Sequence, residues 1–474
     1  MRVCLVIEGS YPFITGGVSS WVHELIGGLP EIEFALFTLS PEAGQEPRYA
    51  LPPNVVSLTD LVLTKAPASQ PDVTIAGRRP RRERVRAILS SHLRMFSGSG
   101  PDLEGLIGSI PEGHAMHREA VLEAGAWNFV KGQDRARNPL YPFADYFWAW
   151  KNAHDLVFNV LAAVPPDADV YHSLSTGFAG LAALAARIRR GKPFLLTEHG
   201  LYHKEREIEI RKANFVRGYQ RDLWIRLYNR VARLCYEKAD LCTSLFEENR
   251  RYQLELGAAP EKSVVIPNGI DVARYSVERK PREGFHVGFI GRIVPIKDVK
   301  TFIVAAKLVL ERAPEARFHL VGPEDEDPEY AAECHRLAAD LKIEDRLDFT
   351  GRADVRFYYS FLDVVVLTSV REAQPLVILE AYAAGIPCVS TDVGNVAELL
   401  EHDHNLIAPP KDAAKVAEGI LHVHDHPDEM RGIVGRNRAR TIEGYEKKDL
   451  LARYGALYAR FDPARAADLP GGAV

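Results

Sequence analysis

Short apolar runs that do not alternate with polar residues recur along the whole chain, each followed by a segment of helical length. In the first half they fall at residues 3–7, 34–39, 170–174, 194–197, 241–245 and 264–266. In the second half they fall at 287–290, 317–321, 347–350, 364–368, 388–391 and 406–408. A strand with one wet face alternates apolar and polar residues. A strand covered on both faces reads as a continuous apolar run, the mark of a parallel sheet with helices on either side. Two such series predict two α/β domains of the doubly wound kind. A length of 474 residues is ample for two cores. No repeat of short period is visible, which argues against a solenoid or a propeller.

The polar stretch 272–284, which contains Pro281, marks the change from one series to the next. It divides the chain into a first domain over 1–275 and a second over 284–450. A C-terminal helix within 451–474 is expected to return to the first domain and end in a tail. Residues from about 60 to 150 fit the strand–helix rhythm poorly and read as a helical insertion in the first domain. They hold a basic run at 78–86, either a solvated face or a surface for an acidic partner or membrane. They also hold the aromatic cluster Tyr141, Phe143, Tyr146, Phe147, Trp148 and Trp150, which reads as core packing or as a platform for a sugar.

Composition narrows the function by exclusion. Sixty-four acids against fifty-nine bases give a net charge of −5, unlike a general nucleic-acid binder. The apolar start at residues 3–7 is too short for a signal peptide, and no stretch approaches the ~20 apolar residues of a membrane span. The five cysteines (Cys4, Cys235, Cys242, Cys334, Cys388) are odd in number and scattered, so neither a disulfide framework nor a zinc site is expected. A cytoplasmic protein is the expectation.

Three constellations carry chemistry. The first strand runs into Glu8-Gly9-Ser10-Tyr11-Pro12-Phe13-Ile14-Thr15-Gly16-Gly17, and a helix follows with Val18, Trp21, Val22, Leu25, Ile26 and Leu29 at helical spacing. Paired glycines before a helix let backbone N–H groups approach an anion. A plain tight turn accounts for Gly16 and Gly17 equally well, and the dinucleotide spacing is absent. After the first strand of the second domain comes Gly291-Arg292-Ile293-Val294-Pro295-Ile296-Lys297-Asp298. Arg292 and Lys297 stand where parallel sheets bind ligands, and their charges suit a diphosphate. A surface salt bridge is the plainer alternative. After the 364–368 run comes Glu372-Ala373-Gln374-Pro375-Leu376-Val377-Ile378-Leu379-Glu380. Pro375 suits the first turn of a helix and Gly385 its end, with Pro387 beyond. Glu372 is then at the helix mouth and Glu380 along its second turn. Carboxylates and free amides there suit sugar hydroxyls, although two ordinary surface glutamates fit the spacing as well.

With Gly16-Gly17, Arg292 and Lys297, the two glutamates with seven residues between them resemble the retaining GT-B glycosyltransferases of family four. The likeness runs through most of both domains and includes Pro267-Asn268-Gly269-Ile270-Asp271. The motifs Gly9-Ser10-Tyr11-Pro12, Gly16-Gly17-Val18-Ser19-Ser20-Trp21-Val22-His23, Thr197-Glu198-His199-Gly200-Leu201-Tyr202 and Gln374-Pro375-Leu376-Val377 are similar to the PelF-type transferases of exopolysaccharide synthesis. The resemblance implies a GT-B fold, two Rossmann-like doubly wound domains facing across a cleft that holds the donor. It implies that Arg292 and Lys297, with the backbone at Gly17, bind the donor diphosphate and that Glu380 binds ribose. Glu372, with the backbone of Gln374-Pro375-Leu376 and the amides of Gln374 and Leu376, would hold the transferred sugar, and His199 would line the reaction centre. The family usually has glycine where this chain has Ala373, which bears on the donor sugar.

The resemblance further implies a UDP-sugar donor, UDP-glucose first and a UDP-hexosamine second, and a growing polysaccharide acceptor. It implies no cofactor, no metal, no nucleic acid, and membrane-bound synthesis and export proteins as partners. Retention would follow a front-face displacement, with the departing diphosphate stabilised by Arg292, Lys297 and the first helix. The rivals are a sugar-nucleotide epimerase of similar fold, which would release UDP without a linked product, and a binding scaffold without turnover.

Overall fold

The computed structural model describes residues 1–64, 142–213 and 218–462, with isolated positions between 90 and 132. It divides into two units, Met1–Ile266 with Leu451–Val474, and Pro267–Leu450.

The first unit is built on a seven-stranded, wholly parallel sheet: β1 (Arg2–Glu8), β2 (Glu33–Ser40), β3 (Val55–Val62), β4 (Val170–Ser173), β5 (Phe194–Glu198), β6 (Leu241–Ser244) and β7 (Ser263–Val265). Their order is β3-β2-β1-β4-β5-β6-β7. The second unit holds β8 (Phe285–Ile290), β9 (Ala316–Val321), β10 (Leu347–Gly351), β11 (Val364–Leu367), β12 (Cys388–Thr391) and β13 (Ile407–Ala408), in the order β10-β9-β8-β11-β12-β13. The two orders reverse direction at the same place, beside β1 and beside β8. Loops leaving the carboxyl ends of strands at such a reversal diverge, which opens room for a ligand.

All twelve apolar runs form strands. The thirteenth, β3, is a half-exposed edge strand carrying Ser57, Thr59 and Asp60. Asp60 accepts from Thr38 and Ser40 of β2 at 2.7 Å each, so side chains as well as the ladder hold that edge. The helix Phe178–Arg190 buries its first nine residues and stops at Gly191, whose positive φ of 62° lets its N–H return to Arg187 O at 2.8 Å. All five cysteines are free and buried.

The division at Ile266 and Pro267 falls ahead of the polar stretch 272–284 that composition suggests. Hydrogen bonds explain the difference. Asn268 is bound to Gln374, Ile270 N donates to Tyr445 O at 2.9 Å, and Val272 N donates to Glu446 at 3.3 Å. The segment is thereby part of the second unit before its polar composition begins. The basic run 78–86 and most of the insertion expected over 60–150 lie outside the described residues. Of the aromatic cluster, Tyr146 and Trp150 on the helix Phe143–Ala162 are core residues, whereas Trp148 is exposed. Among the described residues no helix is long and apolar enough to cross a membrane.

Candidate functional site

In the second unit, β8 and β11 are neighbours, and the loops that leave them are tied together through three backbone carbonyls of the β8 loop. Thr368 Oγ1 donates to the carbonyls of Lys297 at 3.1 Å and Asp298 at 2.9 Å, and Val370 N donates to Ile296 O at 2.9 Å. Asp298 sits in the left-handed region at φ 47°, which a residue with a Cβ adopts only under constraint. Thr301 supplies part of that constraint, donating its hydroxyl to Asp298 Oδ2 at 2.6 Å. The turn aims Lys297 at Glu372, with Nζ 2.5 Å from Oε1 and both side chains largely shielded from water. Ser369 donates to the same carboxylate oxygen at 2.6 Å.

Arg292, on the same loop as Lys297, is held differently. Its guanidinium pairs with Glu326, Nη1 to Oε1 at 2.5 Å, and both side chains are half exposed. An exposed pair of this kind contributes about 0–1 kcal/mol, so an anion of higher charge can displace Glu326.

The helix after β11 runs Leu376–Ala383, with Pro375 at its N-cap and no side chain capping its first amides. Gln374 is committed elsewhere: its Oε1 accepts from Asn268 N at 2.8 Å and its Nε2 donates to Asn268 O at 2.9 Å. Glu380 accepts from Tyr359 Oη at 2.9 Å. Burial raises its carboxyl above the ordinary range, opposed by hydrogen bonds from Tyr359 and Tyr275. The carbonyls of Glu372 and Ala373 press on Gly394, where an added Cβ would lie 2.6 Å and 2.1 Å from them. Sequence reasoning missed Gly394, Ser369 and Tyr359. Their partners are 22, 3 and 21 residues away, and of these only Ser369 to Glu372 is a spacing a reader could have tried.

In the first unit, Gly16 is the N-cap of the helix Gly17–Gly28, which likewise has no side-chain cap. A Cβ on Gly16 or Gly17 would meet nothing within 4 Å, so the space over this helix end is open. His199 follows β5 directly, its ring against Trp21 at 4.5 Å between centroids. Its Nε2 is buried with no partner, and burial lowers its pKa to about 4, so the ring is neutral at physiological pH. Glu198 and Glu8, which stand in the quoted motifs but carry no role in the sequence reading, are carboxylates at the carboxyl ends of β5 and β1, Glu198 buried and Glu8 partly so. Tyr202 joins them, donating its hydroxyl to Glu8 at 2.5 Å and its backbone N–H to Glu198 at 3.4 Å. The signal was available, since both are acids closing apolar runs.

Comparison with known proteins agrees with this architecture. A family model described as "Glycosyl transferases group 1" matches residues 284–426. The solved structure of sucrose-phosphate synthase from Thermosynechococcus elongatus superposes with a TM-score of 0.60 at 18% identity, covering 97% of this chain and 98% of that one. HepE from Anabaena, in complex with UDP and glucose, superposes with a TM-score of 0.58 at 16% identity, covering 97% and 100%. Among curated relatives, an Escherichia coli UDP-Gal:alpha-D-GlcNAc-diphosphoundecaprenol alpha-1,3-galactosyltransferase is 26% identical over 58% of this chain and 71% of its own. A Bacillus anthracis N-acetyl-alpha-D-glucosaminyl L-malate synthase is 28% identical over 39% of this chain, and the match spans about half (47%) of that relative. The class defined by the fold and these matches is a glycosyltransferase of the GT-B fold. Within it, the chain belongs to the family "Domain of unknown function (DUF3492)", whose model matches residues 1–261.

Proposed function

We propose that the chain is a retaining transferase that moves a hexose or hexosamine from a UDP-sugar, UDP-glucose by preference, to a growing exopolysaccharide of the Pel type. The observation that carries this reading is the Lys297–Glu372 pair, poised at the carboxyl ends of two adjacent strands beside an uncapped helix. A cation for phosphate and a carboxylate for sugar hydroxyls touch each other where the bond between those two halves of a donor has to break. The complexes of HepE with UDP and glucose, and the UDP-Gal named for the Escherichia coli relative, favour uridine as the nucleotide.

In this mechanism Lys297 and Arg292 bind the diphosphate and stabilise the charge that grows on it as it leaves. Glu380 binds ribose. Glu372 and the amides at Gln374 and Leu376 orient the sugar, whose ring gains positive charge in the transition state. The uncapped amides of the Gly17–Gly28 helix would by themselves favour an anion at that helix end. Neutral His199 can accept a hydrogen bond from a sugar hydroxyl but carries no charge of its own. The leaving phosphate takes the acceptor's proton, and the two cations make a divalent metal unnecessary. Export of the polymer would require membrane-bound partners.

Calorimetric titration with UDP, GDP and ADP sugars tests the donor, and turnover in excess EDTA tests the metal. UDP-glucose should bind most tightly and EDTA should leave turnover unchanged. Preference for a GDP or ADP sugar would sink the uridine assignment. Loss of turnover restored by magnesium or manganese would sink the role given to the cations.

A further inference from the structure

The helices Ala413–Asp425 and Pro427–Gly444 are joined by one residue, His426, which is the C-cap of the first and the N-cap of the second. Around this joint stand His422, from the last turn of the first helix, and Glu429, from the first turn of the second. One ligand atom from each of His422, His426 and Glu429 lies within 4.8 Å of the other two. His422 Nε2 is buried and has no hydrogen-bond partner, and Glu429 Oε2 is 3.6 Å from it, beyond hydrogen-bonding range. A buried ring nitrogen left without a partner is costly unless something fills the position.

His426 is arranged for the same purpose. Its Nδ1 lies 3.0 Å from the carbonyl of His422, so Nδ1 carries the hydrogen and Nε2 keeps its lone pair. A backbone carbonyl that fixes the tautomer in this way is the usual outer support of a metal-bound histidine. Two imidazole nitrogens and one carboxylate oxygen form a set preferred by zinc and its borderline neighbours, not by calcium or magnesium, which take oxygen. Tetrahedral zinc with bonds of ~2.0–2.1 Å places its ligand atoms about 3.4 Å apart. The 3.6 Å separation of His422 Nε2 and Glu429 Oε2 needs almost no adjustment.

We propose that His422, His426 and Glu429 bind one zinc-class divalent cation that staples the corner between the two helices. The fourth position would be open to water, because His426 and Glu429 are exposed. The site is structural. Its neighbour His424 packs its ring on Phe285, 4.9 Å between centroids, at the start of β8. Lys297 and Glu372 belong to loops at the other ends of the strands. The inference therefore stands apart from the proposed transfer reaction.

The test uses untagged, chelator-stripped protein titrated with Zn²⁺ in a calorimeter and with Co²⁺ in a spectrophotometer. Wild type should take up one Zn²⁺ per chain, gain thermal stability from it, and show visible Co²⁺ bands of tetrahedral intensity. His426→Ala and Glu429→Ala change exposed side chains and should fold normally, yet each should weaken Zn²⁺ binding by about tenfold or more. The double variant His422→Ala/His426→Ala should neither bind nor be stabilised. Absence of stoichiometric uptake by wild type would overturn the proposal. So would uptake that the exposed variants leave unchanged, since the ion would then be held elsewhere.

Discussion

Lys297 Nζ and Glu372 Oε1 are 2.5 Å apart, and the pair is mostly out of water, whereas the Arg292–Glu326 pair is half exposed on both sides. The two cations assigned to the diphosphate should therefore behave alike toward ligand and differently toward the fold. Lys297→Ala and Arg292→Ala should each weaken UDP binding about ten- to a hundredfold, the loss of a charge-assisted hydrogen bond. Lys297→Ala also strands the Glu372 carboxylate and should cost roughly 1–3 kcal/mol of stability. Arg292→Ala should cost under about 1 kcal/mol. UDP titration and thermal melts of both variants check this, and equal melting losses would contradict the distinction.

Glu372 and Glu380 should fail in different kinetic terms. Glu380 is enclosed by Tyr359 and assigned to ribose, which changes little as the bond breaks. Its loss removes uniform binding, so Glu380→Gln should raise donor KM more than it lowers kcat. Glu372 is assigned to the sugar that distorts, so Glu372→Gln should lower kcat while UDP affinity stays near wild type. Normal turnover by Glu372→Gln would remove it from the reaction.

Gly394 should control the position of Glu372 without touching ligand. A Cβ there would lie 2.1 Å from Ala373 O, and the backbone is at φ 57°. Gly394→Ala should displace the loop, lower kcat by about tenfold or more, and cost roughly 1–3 kcal/mol. Gly385, at φ 77° with nothing within 4 Å of an added Cβ, supplies the control. Gly385→Ala should carry only a backbone cost of about 1 kcal/mol and keep its kcat.

The first unit should lose stability as pH falls below 6.5. Burial depresses His172 to about 3 and His154 and His199 to about 4, so below the ordinary value of 6.5 the unfolded chain takes up protons that the fold does not. Glu198 works the other way: burial raises it from 4.5 to about 7, so it favours the fold as pH falls through that window. Burial likewise lowers His203 to about 4 and raises Glu8, so four imidazoles oppose two carboxyls; each group contributes up to about 1.4 kcal/mol per pH unit, and the imidazoles prevail. All five tryptophans lie in the first unit, so denaturant unfolding followed by tryptophan fluorescence at pH 7.5, 6.5 and 5.5 reads that unit alone. His172→Gln should flatten the slope. Stability that stays level or rises on acidification would rule this out.

Continuous apolar runs made twelve strands legible because both faces of those strands are covered. β3 was not, because Ser57, Thr59 and Asp60 face the half-wet edge of a sheet and break the run. The helix at Leu376–Ala383 was legible from Pro375 and Gly385, whose backbone preferences act locally. Contacts between elements were not. The commitment of Gln374 to Asn268 spans 106 residues, and nothing in either neighbourhood announces it. Glu326 was invisible for the same reason, as the partner that now occupies Arg292. Single positions showed what each loop could do, but only packing showed which groups were already taken.

The last helix has a consequence for synthesis. Tyr458 hydrogen-bonds His172 at 2.6 Å, His172 reaches Thr197 at 2.7 Å, Thr197 meets Thr243 at 2.6 Å, and Thr243 meets Tyr454 at 3.3 Å. Three strand residues inside the first 266 thus rely on two tyrosines near the end of the chain. Pro267–Leu450 lies between them in the gene. At about 5–20 residues per second a ribosome needs roughly 10–40 s to make that intervening length. The second unit can therefore finish folding while the first still waits, with His172 Nδ1 and Thr243 Oγ1 lacking the tyrosine hydroxyls that meet them in the finished fold. A nascent chain stalled after Leu450 should hold one protease-resistant body, not two, and a separately expressed 1–266 fragment should need chaperones that the whole protein does not.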